Sequence, residues 1–420
     1  MGVKARTADP PGQRLGSDEQ GRWSVDDALP ATVVRPTDAN EAAQVLKECD
    51  QVAAGVVVWG GGTQMRLGFP PRRYQVAVST DRMDQVLEYE PADLTCRVQA
   101  GVRLDVLQAT LQAQGQRLPL DPARPARATV GGMVAANTSG LNRSRWGTVR
   151  DWVIGIAVAY PSGKVARAGG KVVKNVAGYD LMKLHIGALG TLGVVAEVNL
   201  KVQAIPQRTE TVLARFRSAA AAVEAGANLA RTYLAPAAAV VVNGRTLRAL
   251  GLSQDWPATL VLKLEGYAKE VDAGRAQAWQ AVRDAGGLIE ALEVSSNFWD
   301  LARDWSAPEI DDVVLRAIGP MNALSAIEPA LPGEAQMMLQ PASGIAEVRV
   351  APKDATSALR KLRAGVNADW QVIVASAPAS VKTSVDVWGE PPPGFALMRA
   401  LKEALDPNGI VNPGRFVGGL

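Results

Sequence analysis

The chain has 420 residues, 47% of them hydrophobic and 21% charged, with a formal net charge of +3. That length fits about two or three domains, and the apolar content suffices for a sizeable core. Lys and Arg are scattered, which argues against a nucleic-acid or anionic-membrane surface, and there is no run of about eighteen apolar residues to span a bilayer.

Met1 to Gly21 is polar and rich in Pro, Gly and Arg. It lacks the apolar run of a secretory signal, so residues 1–26 read as a flexible N-terminal tail of a cytoplasmic protein. Ala31–Val34 is β-rich. Asp38 followed by Glu41 has the spacing of a helix cap, opening a helix towards Val52. The apolar strand Val56–Trp59 runs straight into Gly60, Gly61, Gly62, Thr63 and Gln64, an α/β opening. Thr95–Val98 reads as a strand, and Leu104–Gln114 as a helix with Leu104, Leu107 and Leu111 on one face. Val153–Tyr160 and Lys164–Ala168 flank a Pro161-Ser162-Gly163 turn, the pattern of a hairpin. Val194–Val202 is a strand and Pro206 closes the region, so residues 27–206 form the first domain.

Beyond it the rhythm changes. Strands near Val212–Phe216, Leu260–Leu264, Val313–Ala317 and Ala346–Val350 alternate with Ala-rich helices near Ala219–Arg231, Val271–Ala285 and Ala355–Ala364. This predicts an α+β domain over 207–400, its mostly antiparallel sheet covered on one face. Residues 401–420 end in a Gly- and Pro-rich stretch that does not belong to that sheet.

Three glycine-rich segments concentrate the chemistry. Gly60–Gln64 follows a strand, and consecutive residues without Cβ let several N–H groups approach one anion, which suits a diphosphate; the alternative is a flexible turn. It is neither a P-loop nor a Gly-x-Gly-x-x-Gly turn. Thr129 to Gly140 is dominated by small residues, as needed where a flat ring lies against backbone, and Asn137, Thr138 and Ser139 offer hydrogen bonds. Gly187 to Val195 is the third.

These segments, with "RWGTVRDWVIGI" and the closing "LDPNGIVNPGRF", resemble the FAD domain of vanillyl-alcohol-oxidase-type flavoproteins, the PCMH-type FAD-binding fold of two α/β subdomains. "GQRLPLDP" and "GGKVVKNVAGYDLMKLHIGALGTLG" are similar to the FAD-binding E subunits of bacterial glycolate oxidases. The resemblance implies that Trp59, Gly60, Gly61, Gly62, Thr63 and Gln64 hold the diphosphate. Thr129, Gly131, Gly132, Ala136, Asn137, Thr138, Ser139 and Gly140 would line diphosphate and flavin. Gly190, Gly193 and Val195 would approach the adenine side, and Asn412 and Arg415 would return to the flavin from the far end of the chain. It also implies a 2-hydroxy acid substrate, oxidation of glycolate to glyoxylate, a catalytic FAD-containing partner subunit, and an iron–sulfur subunit passing electrons to a quinone. Any contact with the inner membrane would run through those partners.

His185 is the only histidine. Related 2-hydroxy-acid dehydrogenases resemble one another in a metal held by two histidines and an acid, which this chain cannot assemble, so no metal is expected. With neither a histidine nor a cysteine in a glycine loop, FAD is expected to be non-covalent. His185 reads as a packed, hydrogen-bonded residue rather than a base. Asp180 reads first as a helix cap before Leu181 and otherwise as a base if burial raises its pKa, with Tyr179 as a candidate donor to a substrate carboxylate and Lys171 and Lys174 as candidate attractors of an anion. Cys49 and Cys96 are too few for an iron–sulfur cluster and read as free and buried. No catalytic residue stands out. Three readings stay open: a subunit of a glycolate oxidase complex, a stand-alone metal-independent FAD-linked dehydrogenase of another hydroxylated substrate, and a non-catalytic subunit whose FAD stabilises assembly.

Overall fold

Asp38 accepts hydrogen bonds from the N–H groups of Asn40 and Glu41 and so starts the helix Ala39–Gln51 where the sequence places it. In the computed structural model, which describes residues 11–170, 180–252, 256–290, 295, 297–307, 312–367 and 369–420, this helix lies between two sheets. Its buried Ala42, Leu46 and Cys49 share one core with Val56, Val76 and Val78 on one side and Ala159, Val194 and Ala196 on the other.

The first sheet has the order Gln13–Arg14, Thr32–Val34, Val76–Ser79, Val56–Trp59. Its last three strands are parallel, as a strand–helix–strand crossover requires. The second sheet is antiparallel: Val86–Glu90, Thr95–Gln99, Val194–Lys201, Val153–Ala159, Val165–Gly169. The expected hairpin and the helix Leu104–Gln112 are both present. Cys49 and Cys96 are free and buried in separate cores, where burial raises both thiols to about 12.

The tail expected over residues 1–26 needs correction from Gln13 onward. Gln13 and Arg14 pair with Val33 and Thr32. Trp23 and Val25 are buried, Trp23 edge-on to Trp59 with ring centroids 5.4 Å apart. Polar composition hid this segment because two apolar side chains suffice to anchor it.

The second domain is an eight-stranded antiparallel sheet among the described residues, ordered Leu288–Glu290, Arg208–Phe216, Ala258–Gly266, Ala238–Val242, Gln336–Gln340, Ile345–Val350, Val313–Ile318, Gln371–Ser376. Ala238–Val242, Gln336–Gln340 and Gln371–Ser376 are strands the sequence reading passed over. The helices Ala219–Ala230, Ala268–Asp284 and Pro352–Gly365 cover one face. The other face is not bare: Val240, Val261 and Met338 pack against Phe298, Ala302 and Trp305 of the helix Phe298–Trp305 and against Leu141 of the first domain. The helix Phe395–Leu405 runs across the expected boundary at residue 401. No helix among the described residues is long and apolar enough to cross a membrane.

A charged clamp fixes the two domains. Glu265, 3% exposed, accepts from Arg117 at 2.5 Å and lies 3.0 Å from Lys263, while Arg145 donates to its carbonyl oxygen. Burial alone would raise this carboxyl, but Arg117 and Lys263 outweigh it and hold it down to about 2. Glu265 therefore contributes stability that is fully present above the ordinary value of 4.5 and is lost as pH falls towards about 2. Glu265→Gln leaves two partly buried cations without their carboxylate and should cost about 2 kcal/mol of stability at pH 7, measured by urea unfolding; the difference from wild type should shrink as pH falls through that window.

Candidate functional site

The strand Val56–Trp59 ends at a loop that only glycine can build. A Cβ on Gly61 would lie 1.6 Å from the Arg127 carbonyl oxygen, and one on Gly60 would lie 2.4 Å from Thr129 Oγ1. The loop is thus pressed onto residues 127–129, and the steric demand comes from the protein itself. Thr129 in turn caps the helix Val130–Ala136, accepting from Gly132 N–H at 3.2 Å.

The far end of the chain completes the site. Val56 N–H donates to Ile410 O at 2.8 Å, and Asn412 N–H donates to Val56 O at 2.7 Å, so residues 410–412 run beside the strand. Asn412 adopts a left-handed φ of 44°. Its Oδ1 accepts from Val58 N–H at 3.0 Å and its Nδ2 donates to Leu189 O at 2.6 Å, joining the strand that enters the first glycine segment to the third segment. Arg415 is 4% exposed and donates through Nη2 to the carbonyl oxygens of Met65 and Leu67 at 2.7 and 2.8 Å. Its Nη1 is buried and has no partner among the described residues. Burial lowers the pKa of this guanidinium, opposed by the nearby Asp26 and Tyr74.

These elements line one common cleft. Of the predicted residues, Gly60, Gly61, Gly62, Thr63, Gln64, Gly132, Ala136, Asn412 and Arg415 line it. Trp59 and Thr129 line a second cavity on the outer side of the same loop, with Arg22, Arg103 and Arg127.

The others hold the scaffold and line neither cavity. Gly131 packs against Ala100, and Val195 lies in the core beside Val158. Ser139 is 2% exposed and its Oγ accepts from Val149 N–H. Gly140 forms a bridge with Asp121, and Gly193 abuts Ala159. Asn137 ends the helix with φ 51°, and Thr138 N–H returns to Met133 O. Gly190 makes a positive-φ turn against Asn412. Small residues in these segments serve close packing as much as the cleft, which sequence alone does not separate.

Met65, Ala135 and Leu189 line the cleft without any motif to mark them. The sequence reading also missed an interdomain charge layer. Arg316 donates through Nε and Nη2 to Glu347 Oε1 at 2.9 and 2.7 Å, and Glu347 is 3% exposed. Arg143 faces this pair from the first domain, its pKa lowered by burial and by Arg316. Glu347 and Asp151 oppose that lowering.

His185 is buried, with Nε2 2.8 Å from Tyr160 Oη, and burial pushes it down to about 4, so the imidazole is neutral at pH 7. Asp180 does not cap the turn Leu181–Leu184 with its side chain; it pairs with Lys183 instead. Tyr179, Lys171 and Lys174 lie outside the described residues. Among the described residues no three His, Cys, Asp or Glu side chains are grouped to hold a metal.

Two family descriptions match the chain: an FAD binding domain over residues 30–169, and the C-terminal domain of FAD-linked oxidases over residues 205–321 and 389–416. The chain is 29% identical over 393 residues to the glycolate oxidase subunit GlcE of Escherichia coli, covering 91% of this chain and 99% of that protein. It is 31% identical over 285 residues to the glycolate oxidase subunit GlcD of Bacillus subtilis, covering 63% of this chain but only 60% of that protein. Among solved structures, 4-ethylphenol oxidase from Gulosibacter chungangensis shares the fold with a TM-score of 0.71 at 15% identity, covering 96% of this chain and 93% of that one. The residues present fit FAD: a backbone cradle at Gly60–Gly62, and a buried guanidinium nitrogen left without an acceptor beside it.

Gly61→Val should abolish FAD retention, because its side chain would push the loop off the Arg127 carbonyl; unchanged flavin absorbance in the purified variant would remove the loop from the site. For His185 the folded pKa of about 4 lies below the ordinary 6.5. The wild type should therefore lose up to about 3 kcal/mol of stability as pH falls from 6.5 towards 4, with no change above 6.5. His185→Gln should remove that dependence and keep its FAD, as thermal melts across pH and flavin content would show.

Proposed function

The chain belongs to the FAD-linked oxidases and binds FAD, and from that premise we propose that it is the FAD-binding subunit of an assembly oxidising glycolate to glyoxylate. The observation that carries this reading is the match to GlcE along nearly the whole of both proteins, and the C-terminal return that supplies Asn412 and Arg415 falls within the matched C-terminal domain of FAD-linked oxidases. Gly60 to Gln64 would receive the diphosphate, and Arg415 Nη1 would donate to an acceptor of the bound cofactor. FAD, when bound, supplies a two-electron acceptor. The absence of a tethering histidine or cysteine in the loops supports non-covalent binding.

Removing hydride from a 2-hydroxy acid also needs the hydroxyl proton to leave and the carboxylate to be held. Relatives named glycolate oxidase subunits include both GlcE and GlcD. We assign proton removal to a catalytic FAD-containing partner, with an iron–sulfur subunit carrying electrons to a quinone-type acceptor. The single histidine supports this division, being engaged by Tyr160 and neutral. The working location is the cytoplasm.

One observation favours a stand-alone dehydrogenase as the second reading. Asp121, which bridges Gly140 and accepts from Asn142 N–H at 2.9 Å, is pushed by burial up to about 7 despite Lys263. Its proton affinity is that of a general base, although it lines neither the cleft nor the outer cavity. Anaerobic mixing with glycolate, followed by flavin absorbance, separates the two. The isolated chain should stay oxidised, and oxidation should appear on assembly with the partner subunits; rapid full reduction of the isolated protein would replace the first reading with the second.

A further inference from the structure

The turn at Asp26 and Asp27 is unusual. Both residues have left-handed φ, 49° and 67°, and Val25 and Ala28 close the turn with mutual backbone hydrogen bonds of 3.0 Å. Side chains with Cβ adopt this conformation at a cost that must be met by surrounding contacts. Here the turn drives a carboxylate into the protein. Both Asp26 oxygens lie 2.8 Å from Lys382 Nζ, and the two side chains are 3% and 0% exposed. Burial pushes Lys382 down to about 8 against the pull of Asp26.

Lys382 comes from the second domain, in the short helix Ala379–Lys382. Asp26 comes from the N-terminal segment, which runs past the outer side of the diphosphate loop. There Arg22 and Trp23 line the outer cavity together with Gly60, Gly61 and Gly62. Trp59 Nε1 donates to Tyr74 Oη at 2.7 Å, and Tyr74 Oη donates to Trp23 O at 2.8 Å, so the segment is tied to the residue that precedes the loop. Arg415, which lines the cleft and whose Nη1 has no partner among the described residues, also feels the charge of Asp26, and Lys382 feels Arg415 and Arg66. One carboxylate thus faces a buried group of cations between the two domains.

We infer that Asp26 is a positioning residue for the FAD cleft: through Lys382 it latches the N-terminal segment against the diphosphate loop and holds Arg415 in place. The inference rests on the reading of this cleft as the FAD site. A paired carboxylate that served folding alone would stabilise the protein equally with and without cofactor. A latch on the cleft stabilises the FAD-bound form more, because ligand binding adds stability only to the extent that the bound state is favoured.

The test compares melting temperatures of the full-length protein with and without FAD, and the rate of FAD release followed by flavin fluorescence. The variants are Asp26→Asn, Lys382→Met and the double substitution. The double variant removes both buried charges and keeps the protein folded where a single one fails. Exposed Glu334, which pairs with Arg245 on the surface, provides Glu334→Gln as a control. The latch variants should release FAD about tenfold faster, and the gap between their FAD-bound and FAD-free melting temperatures should narrow, while the control keeps both. Equal loss of melting temperature in both forms, with an unchanged release rate, would overturn the inference. A wild-type protein that takes up no FAD would instead overturn the cleft assignment, and the inference with it.

Discussion

The cleft exists because a segment from the end of the chain lies against the strand Val56–Trp59, with Val58 and Asn412 hydrogen-bonded although 354 residues apart. A buried ion pair shapes that segment. Lys402 Nζ donates to Asp406 at 2.5 Å and to the carbonyl oxygens of Thr191 and Val411 at 2.7 and 2.9 Å. Asp406 in turn accepts from the N–H groups of Ile410 and Val411, both at 2.9 Å. Every donor of the ammonium is used and the turn's backbone is satisfied, which is the condition under which a buried pair is tolerated. The same contact carries the pull of Thr191, inside the third glycine segment, to the strand that begins the first.

From this anchor the second domain takes its place. The Arg415 carbonyl accepts from Phe69 N–H and from Trp388 Nε1, both at 3.1 Å, so the residue that enters the cleft also touches both domains. Beside the apolar contact of Leu141, the interdomain surface carries charged groups: Glu265 with Arg117 and Lys263, and Arg316 and Glu347 facing Arg143. Directional pairs of this kind fix orientation more tightly than an apolar contact of equal area, because misplacing any one member strands a buried charge.

The polar groups sort into two kinds. His185, Ser139 and Glu265 have every important bond made within the protein, and they maintain the frame. Arg415 Nη1 is buried and unmatched, and a buried donor without an acceptor is costly unless a ligand supplies one. Among the residues with a buried unmatched atom, Arg415 is set apart by lining the cleft, where a ligand can supply the acceptor.

Local signals were legible in the sequence. The Asp38 cap, the hairpin around Ser162, the strand entering Gly60 and the alternation of the second domain are dictated within a few residues, by capping chemistry, turn propensity and apolar periodicity. So was the isolation of His185 as a packed residue, since one imidazole cannot build a two-histidine site. Which glycines face the cleft was not legible. Gly131 and Gly132 are neighbours in sequence, yet one packs on Ala100 and the other lines the cavity, a choice made by the direction of a helix against a distant strand. The seating of Trp23, the strained turn at Asp26 and the Arg143–Arg316–Glu347 layer were equally hidden. Each depends on partners tens to hundreds of residues away, and only the packed tertiary structure, by excluding water from those charges, decides which of them must pair.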